Sequence, residues 1–403
     1  MQTLIELYDE RLIENYLGPE TFRPERVVYL CPPEVAHSRG QREVISSFLA
    51  RRGLAAETLF LETSLYKTDR IVELLRHTAE QYPGCALDVT GGTDAALVAA
   101  GIFSGESDIP VFTWSRKKNR FFSIQNADFA DGVPCTLSYS VEDFIRMTGG
   151  RLRTGRADQD ALLKSRAIYA PFFGLYLRYR HQWSSIITYL QRASQPGEAN
   201  AQLTVSAPHR VKGEHGSIVT VNADFLHDAE RIGLIHDLAI SETTVSFRFD
   251  NLHVRTWMRD PGSVLELYVY NICHAAGIFE DVVLSAVVDW EQQEQVSRED
   301  VTNEIDVVAT RGIIPLFISC KTCDIKTEAL NELAILAERF GGKGAKAAIV
   351  TTALCSSAVR HRAAQLGIAV VDREELTDKA LTARLRTIMK LPAEASEETK
   401  AEN

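Results

Sequence analysis

Val27-Val28-Tyr29-Leu30-Cys31 is an unbroken apolar run that stops at Pro32-Pro33. A strand with one wet face alternates apolar and polar side chains, so a strand apolar at every position must be covered on both faces. Similar short runs follow at 56–61 and 85–89. Helix-length segments separate them, one at 38–52 that Gly53 stops and one at 69–81 with Asp69 as the expected N-cap. This order predicts a parallel, doubly covered sheet: a Rossmann-like α/β domain over residues 1–148. Its third strand runs into Thr90-Gly91-Gly92-Thr93 and a small-residue helix at 95–100.

The alternation returns over 256–391. A helix at 263–276, capped by Ser263 and closed by Gly277, precedes strands at 282–290, 304–309 and 313–320. Leu330, Leu333, Ala334, Ala337 and Phe340 then share one face of a helix at 327–340 that Gly341-Gly342 ends. Strand, helix, strand and helix follow at 345–352, 356–366, 368–372 and 374–389. Residues 149–255 differ. Helices at 162–169 and 173–193 lead through a polar loop at 194–201 to a helix at 225–233 and alternating runs at 234–240 and 243–249. Helix plus hairpin is the outline of a winged helix, and a mixed α+β spacer is the favoured alternative. Residues 392–403, rich in Glu, Ala and Lys without an aromatic, predict a disordered tail.

The 403 residues suffice for two or three domains, with 45% hydrophobic and 24% charged residues, as in soluble globular proteins. No apolar run reaches membrane-spanning length, so no membrane partner is expected. The start, Met1-Gln2-Thr3-Leu4-Ile5-Glu6, is not that of a signal peptide. Seven scattered cysteines suit a reducing cytoplasm, and Cys320-x-x-Cys323 has no second pair to complete a zinc site. The net charge of −10 excludes a globally basic nucleic-acid binder. Its distribution is uneven: seven basic residues against two acids over 151–180, ten acids against Arg298 alone over 261–310.

The acids carry chemistry. Glu304 and Asp306 lie two apart on a strand and so share a face, as do Ser319 and Lys321 on the next strand. Glu266 lies on the preceding helix. Carboxylates beside a lysine suit a hard cation, since Mg²⁺ takes one or two of them and keeps waters for a phosphate. Lysine can orient an attacking water and neutralise developing charge.

Glu266, then Asn303-Glu304-Ile305-Asp306, then Phe317-Ile318-Ser319-Cys320-Lys321-Thr322 resembles the core of PD-(D/E)xK nucleases. The resemblance implies a restriction-endonuclease-like fold with Asp306 as principal ligand for Mg²⁺ or Mn²⁺. It implies Lys321 as the catalytic lysine, Glu266 as the helix carboxylate and the Cys320 carbonyl as a backbone ligand. The acid usual two residues before the lysine is Ser319 here, which leaves Glu304 or Glu332 to supply the charge.

The glycines of Asp88-Val89-Thr90-Gly91-Gly92-Thr93-Asp94 allow close approach to a ligand, and the N–H groups opening the helix favour an anion. The spacing is neither a dinucleotide fingerprint nor a Walker loop. Joined to the nuclease-like part, this domain resembles the CARF domain of type III CRISPR nucleases. The resemblance implies a homodimer whose paired CARF domains bind a cyclic oligoadenylate, most often cyclic tetra-adenylate, and switch on cleavage of RNA, DNA or both. It places Thr90, Gly91, Gly92, Thr93, Pro32, Pro33, His37 and Ser38 at the ligand. Asp94 stands where a lysine is common, so the contact can shift to Arg116, Lys117 or Lys118. These lie at an expected hairpin tip beside Trp114, which could stack a base. Two rivals are a constitutive restriction or repair nuclease and a catalytically dead nucleotide-sensing regulator.

Overall fold

The computed structural model describes residues 1–391 except 11–12, 65, 195–202, 214–215 and 290–301. The expected tail at 392–403, most of the 194–201 loop and the end of the 282–290 strand lie outside the described residues.

Strands β1 (Thr3–Leu7), β2 (Arg26–Cys31), β3 (Glu57–Glu62), β4 (Ala86–Asp88), β5 (Val111–Ser115) and β6 (Arg120–Gln125) form one sheet in the order β3-β2-β1-β4-β5-β6. The first five run parallel, and β6 turns back along β5. Both faces are covered: Val27 and Tyr29 enter one core, Val28 and Leu30 the other. The apolar run of β2 required that.

One expectation needs correction. The first strand is β1, not the run at Val27, so Pro32 to Ser38 follow the second strand. The charge of Glu6 breaks the apolar pattern of β1, yet that side chain is wholly buried. The helix expected from Asp69 spans Thr68–Gln81, with Lys67 rather than Asp69 at the N-cap.

The second large sheet uses β7 (Arg151–Leu152), β13 (Asp281–Asp289), β14 (Thr302–Arg311), β15 (Ile314–Lys321), β16 (Lys346–Thr351) and β17 (Ile368–Val371) in the order β17-β16-β15-β14-β13-β7. The segment between holds β8 (Thr204–Pro208), β9 (Arg210–Lys212), β10 (Ile218–Thr220), β11 (Ile235–Ile240) and β12 (Thr244–Phe249). Of these, β11-β12-β8 form a three-stranded sheet beside helices Trp183–Ala193 and Ala223–Arg231. This middle segment shares one continuous core with the C-terminal sheet, running from Leu162 through Phe225 and Phe247 to Ile318 and Leu385. Strand β7 adds a second join, since it pairs antiparallel with β13.

The N-terminal domain also touches the C-terminal sheet directly. Val141 N donates to Asp281 (2.9 Å), and Tyr139 N donates to the carbonyl of Gly312 (2.9 Å) at the turn joining β14 to β15. Val141 and Ile145 pack among Val283, Ile305 and Phe317. The middle segment is the only covalent route between the domains, but not the only physical one.

Candidate active site and ligand-facing edge

The β14–β15 ladder is bonded from Arg311–Ile314 at the turn to Val307–Ile318, where it stops. Asp306 occupies the next position. Its Oδ2 accepts the Cys320 backbone N–H (2.6 Å) and the Ser319 hydroxyl (3.2 Å), and Lys321 Nζ lies 3.5 Å away. A side chain thus replaces the missing rung. The same opening gathers Asp306, Ser319 and Lys321 on one face, as period-two alternation predicts.

Glu266 projects from helix Ser263–Ala275. Burial, followed by the charges of Asp306, Asp260 and Glu304, pushes its carboxyl up to about 8, and Lys321 offsets this only in part. Expected members Glu266, Glu304, Asp306 and Lys321 are therefore electrostatic neighbours. Glu332 is exposed on helix Thr327–Gly341 and is not among the charges acting on Glu266, so of the two candidates Glu304 is the acid coupled to this group.

Asp260 was missed from the sequence; the helix N-cap is Gly262 rather than the expected Ser263, and Asp260 braces it from outside. Its Oδ2 accepts from Gly262 N (2.9 Å), Ser263 N (2.6 Å) and Ser263 Oγ (2.9 Å). An acid three residues before a helix-opening serine was the available signal. Thr154 was missed as well. It bridges the irregular point of β13 beside Asp306, donating to the Ser285 carbonyl (2.7 Å) and accepting from Val287 N (2.9 Å). Ser285 sits there at φ +49°.

Among the described residues, no three His, Cys, Asp or Glu side chains gather closely enough to hold a metal by themselves. The donor chemistry nevertheless fits Mg²⁺ or Mn²⁺. Asp306 engages its neighbours through Oδ2 alone, and Glu266 stands among acids whose mutual repulsion a divalent cation would relieve. Mg²⁺ needs only one or two such carboxylates. The Ser319 hydroxyl hydrogen-bonds to Asp306 and adds no charge, so Ser319→Ala should reduce cleavage only about threefold, the worth of one modest hydrogen bond. Single-turnover rates at saturating metal check this, and a loss as deep as that of an Asp306 variant would refute it.

In the N-terminal sheet, strand order reverses between β1 and β4, and parallel sheets bind ligands beyond the carboxyl ends of strands at such a point. The Thr90–Thr93 turn leaves β4 there. Thr90 N donates to Asp88 (2.7 Å), and the Thr90 hydroxyl accepts from Trp114 N (2.9 Å). Gly92 adopts φ +99°, and a Cβ on Gly91 would lie 2.9 Å from the Leu7 carbonyl. These glycines are required by close packing alone.

The other expected ligand residues divide. Pro32 emerges at the same edge, opening the short helix Pro33–Ala36. Thr93 and Ser38 spend their hydroxyls as helix caps, accepting from Ala96 N and Gln41 N (both 3.3 Å). His37 is bonded to Glu62 (2.7 Å) at the end of β3, away from β4. Asp94 is exposed in the first turn of helix Asp94–Glu106, where a negative charge suits the helix dipole. Trp114 is 7% exposed and Arg116 lies over its ring, so the indole is largely core. The hairpin tip is as expected, with Asn119 at φ +49°. Sequence reasoning missed Asp9, which accepts Gly92 N (3.1 Å), and Glu14, which is paired with Arg116.

Beneath the turn, Glu6 and Asp88 are neighbours in register on β1 and β4, both wholly buried. Both oxygens of Glu6 and Oδ2 of Asp88 lack a hydrogen-bond partner among the described residues. A Cβ on Gly18 would clash with Asp88 Oδ2, so only glycine lets helix Glu14–Phe22 close over the pair. Burial pushes Asp88 up to about 7. Burial and the charge of Asp88 push Glu6 well above its ordinary range. Unfolded carboxyls lose their protons near pH 4, whereas the folded pair keeps them. Stability should therefore fall as pH rises above about 4, with the share of Asp88 lost by about pH 7 and that of Glu6 continuing to be lost above it. Thermal unfolding against pH should show this slope, and Glu6→Gln should make it shallower. An unchanged slope in that variant would assign the effect elsewhere.

Comparison with known proteins agrees with this architecture. Residues 255–389 match the family described as Card1-like, endonuclease domain. Over the whole chain, the fold is that of Can2 from Sulfobacillus thermosulfidooxidans, solved in complex with cyclic tetra-adenylate. The TM-score is 0.71 at 17% identity, covering 96% of this chain and 99% of that one. Protein VC1899 from Vibrio cholerae is equally similar, with TM-score 0.71, 16% identity and coverage of 96% and 98%. No curated protein sequence matches. The expected joining of an N-terminal Rossmann-like α/β domain to a C-terminal α/β domain is the observed fold. No helix among the described residues is long and apolar enough to cross a membrane.

Proposed function

We propose that this chain, a CARF-type domain joined to a Card1-like endonuclease domain, is a metal-dependent nuclease of antiviral defence that a cyclic oligoadenylate switches on. The observation that carries the reading is the opened β14–β15 ladder, where Asp306 meets Lys321 at 3.5 Å beside Glu266. A bound Mg²⁺ or Mn²⁺ would supply Lewis-acid stabilisation of the phosphate and an acidified water. Asp306, Glu266 and Glu304 are the residues to hold it, with the Cys320 carbonyl as a further candidate. Lys321 places a positive charge where the scissile phosphate becomes more negative. The substrate is RNA, DNA or both.

Cyclic tetra-adenylate is the activator best supported, because Can2 shares this fold and was solved with that ligand. Binding belongs at the switch point, at the Thr90–Thr93 turn and the neighbouring β1 and β2 loops. The turn is not a basic pocket, since Asp9 and Asp94 face the same edge, so ligand phosphates need cations from outside it. Arg339 lines a 510 Å³ cavity with Tyr8, Asp9 and Glu10 and is suited to that task. A cytoplasmic homodimer would present two such edges across its axis. A two-fold-symmetric ring fits one site per dimer. Calorimetry should accordingly give one cyclic tetra-adenylate per two chains, and one per chain would contradict a shared site.

The deciding experiment incubates plasmid DNA and single-stranded RNA with Mg²⁺ or Mn²⁺, with and without cyclic tetra-adenylate. Cleavage that requires the ligand supports gating. Equal cleavage without it identifies a constitutive nuclease, and binding without cleavage under either metal identifies a regulator.

A further inference from the structure

A cavity of about 920 Å³ opens between the N-terminal domain and the C-terminal sheet, within the range of small-molecule sites. It contains no residue of the Thr90–Thr93 turn and none of the Asp306 site. Its hairpin-turn wall, Gly312 to Ile314, lies some seven residues along β15 from Lys321, or about 20 Å. Arg116 and Lys117 enter from the β5–β6 tip, Arg311 from the hairpin turn, and Lys343, Lys346 and Lys390 from the C-terminal domain. Glu280 is the one acid in the lining, and it already accepts Gly312 N and the Ser138 hydroxyl. Arg116 is paired with Glu14, but the four lysines have no carboxylate partner among the described residues.

Six cations around one engaged acid, in a cleft walled by two domains, is an unfavourable arrangement unless an anion fills it. Crowding is visible at Lys346, whose ammonium burial, then Lys390 and Arg116, hold below its ordinary pKa. The cleft also has an apolar side, formed by Leu137, Ile313, Ile314 and Met389. Trp114 lines it too, and its indole N–H is buried without an acceptor among the described residues. Cations, an apolar wall and a spare aromatic donor together select an anion that carries a heterocycle.

We propose that this cleft is a second anion site, taking a nucleoside polyphosphate whose phosphates meet the lysines and whose base lies against the apolar wall of Leu137, Ile313, Ile314 and Met389. Because both domains supply cations, such a ligand holds them together and bears on the turn that joins β14 to β15. The cleft shares Lys343 with the cavity beside Asp9 but holds no residue of the Thr90–Thr93 turn, so the two ligands bind at neighbouring, separate places.

The test is calorimetry of full-length protein with ATP as probe, in EDTA at low salt, against tripolyphosphate and adenosine. One ATP per chain is expected, with tripolyphosphate about tenfold weaker and adenosine weaker still. Lys343→Glu with Lys390→Glu should weaken ATP at least about tenfold while melting as the wild type does, because charge reversal relieves crowding. Lys346→Gln, a milder change, should weaken it about threefold and guards against misfolding of the double variant. Absence of ATP binding up to about 1 mM would overturn the proposal, as would binding indifferent to both variants. Tripolyphosphate as tight as ATP would remove the base contact. One-for-one displacement of ATP by cyclic tetra-adenylate would merge the cleft with the ring site and end its independence.

Discussion

Ligand-activated cleavage by the Asp306→Asn variant is expected to fall by about 10³-fold, with affinity for cyclic tetra-adenylate unchanged within twofold. The asparagine is chosen deliberately. Asp306 accepts the Cys320 N–H at 2.6 Å, and deleting that acceptor would strand a backbone donor at a cost of about 1–3 kcal/mol. Alanine therefore confuses a folding defect with a catalytic one, whereas asparagine keeps an oxygen for Cys320 and removes only the charge. Lys321→Ala should be comparably inactive, because the positive charge 3.5 Å from Asp306 has no substitute within reach on β15. Single-turnover rates at saturating Mg²⁺, read beside melting temperatures, make the check. Activity within tenfold of wild type in the asparagine variant would remove the nuclease assignment.

Gly92→Val should abolish activation without touching the metal site. Gly92 holds φ +99°, a region a β-branched residue strongly avoids, and its Cβ would lie 3.0 Å from Leu7 Cβ. The turn would have to move, and with it the edge at which the ligand is proposed to bind. A ligand shifts an equilibrium only by its differential affinity for the two states. If about 1% of free protein is active, near-complete switching needs about 5.5 kcal/mol of that difference. Losing half of it would about halve the active fraction at saturating ligand, and losing all of it returns the protein to about 1% active. Activated rates should fall by about two orders of magnitude, to the ligand-free level, while Mn²⁺ binding followed by calorimetry stays as in the wild type. Full activation by the valine variant would place the ligand elsewhere.

The catalytic face was legible because strand periodicity is strict: two residues apart means one face, wherever the strand lies in space. The shared faces of Glu304 with Asp306 and of Ser319 with Lys321 followed from that rule, and the roles of Asp306 and Lys321 from the resemblance to PD-(D/E)xK nucleases. What the sequence could not display is the ladder ending at Val307–Ile318, since the loss of a rung depends on how β13, β14 and β15 twist past one another. Thr154 acts through that irregular geometry and was invisible for the same reason, whereas Asp260 braces a helix start and did leave a signal. The ligand edge was less legible. Hydroxyls read as ligand contacts, Thr93 and Ser38, serve as caps, a role equally common after a buried strand. β1 escaped notice because Glu6 mimics a surface residue, and hydropathy cannot tell a charged side chain from a carboxyl that stays protonated in a core.

The short strand β7 decides where this protein can be cut and rejoined. Family similarity begins at 255, which invites a module boundary there. But Leu152 is hydrogen-bonded into the sheet beside Val288, and the helices that follow supply half of the core beneath it. A transplant excised at 255 would carry an exposed sheet edge and an uncovered apolar face, the usual beginnings of aggregation. A better seam is Gly149-Gly150, where the chain turns at φ +80° before β7, provided the apolar contacts of Val141 and Ile145 with Val283, Ile305 and Phe317 are kept. Chimeras that fit new sensors to this cutting unit, or new cutting units to this sensor, should be spliced there.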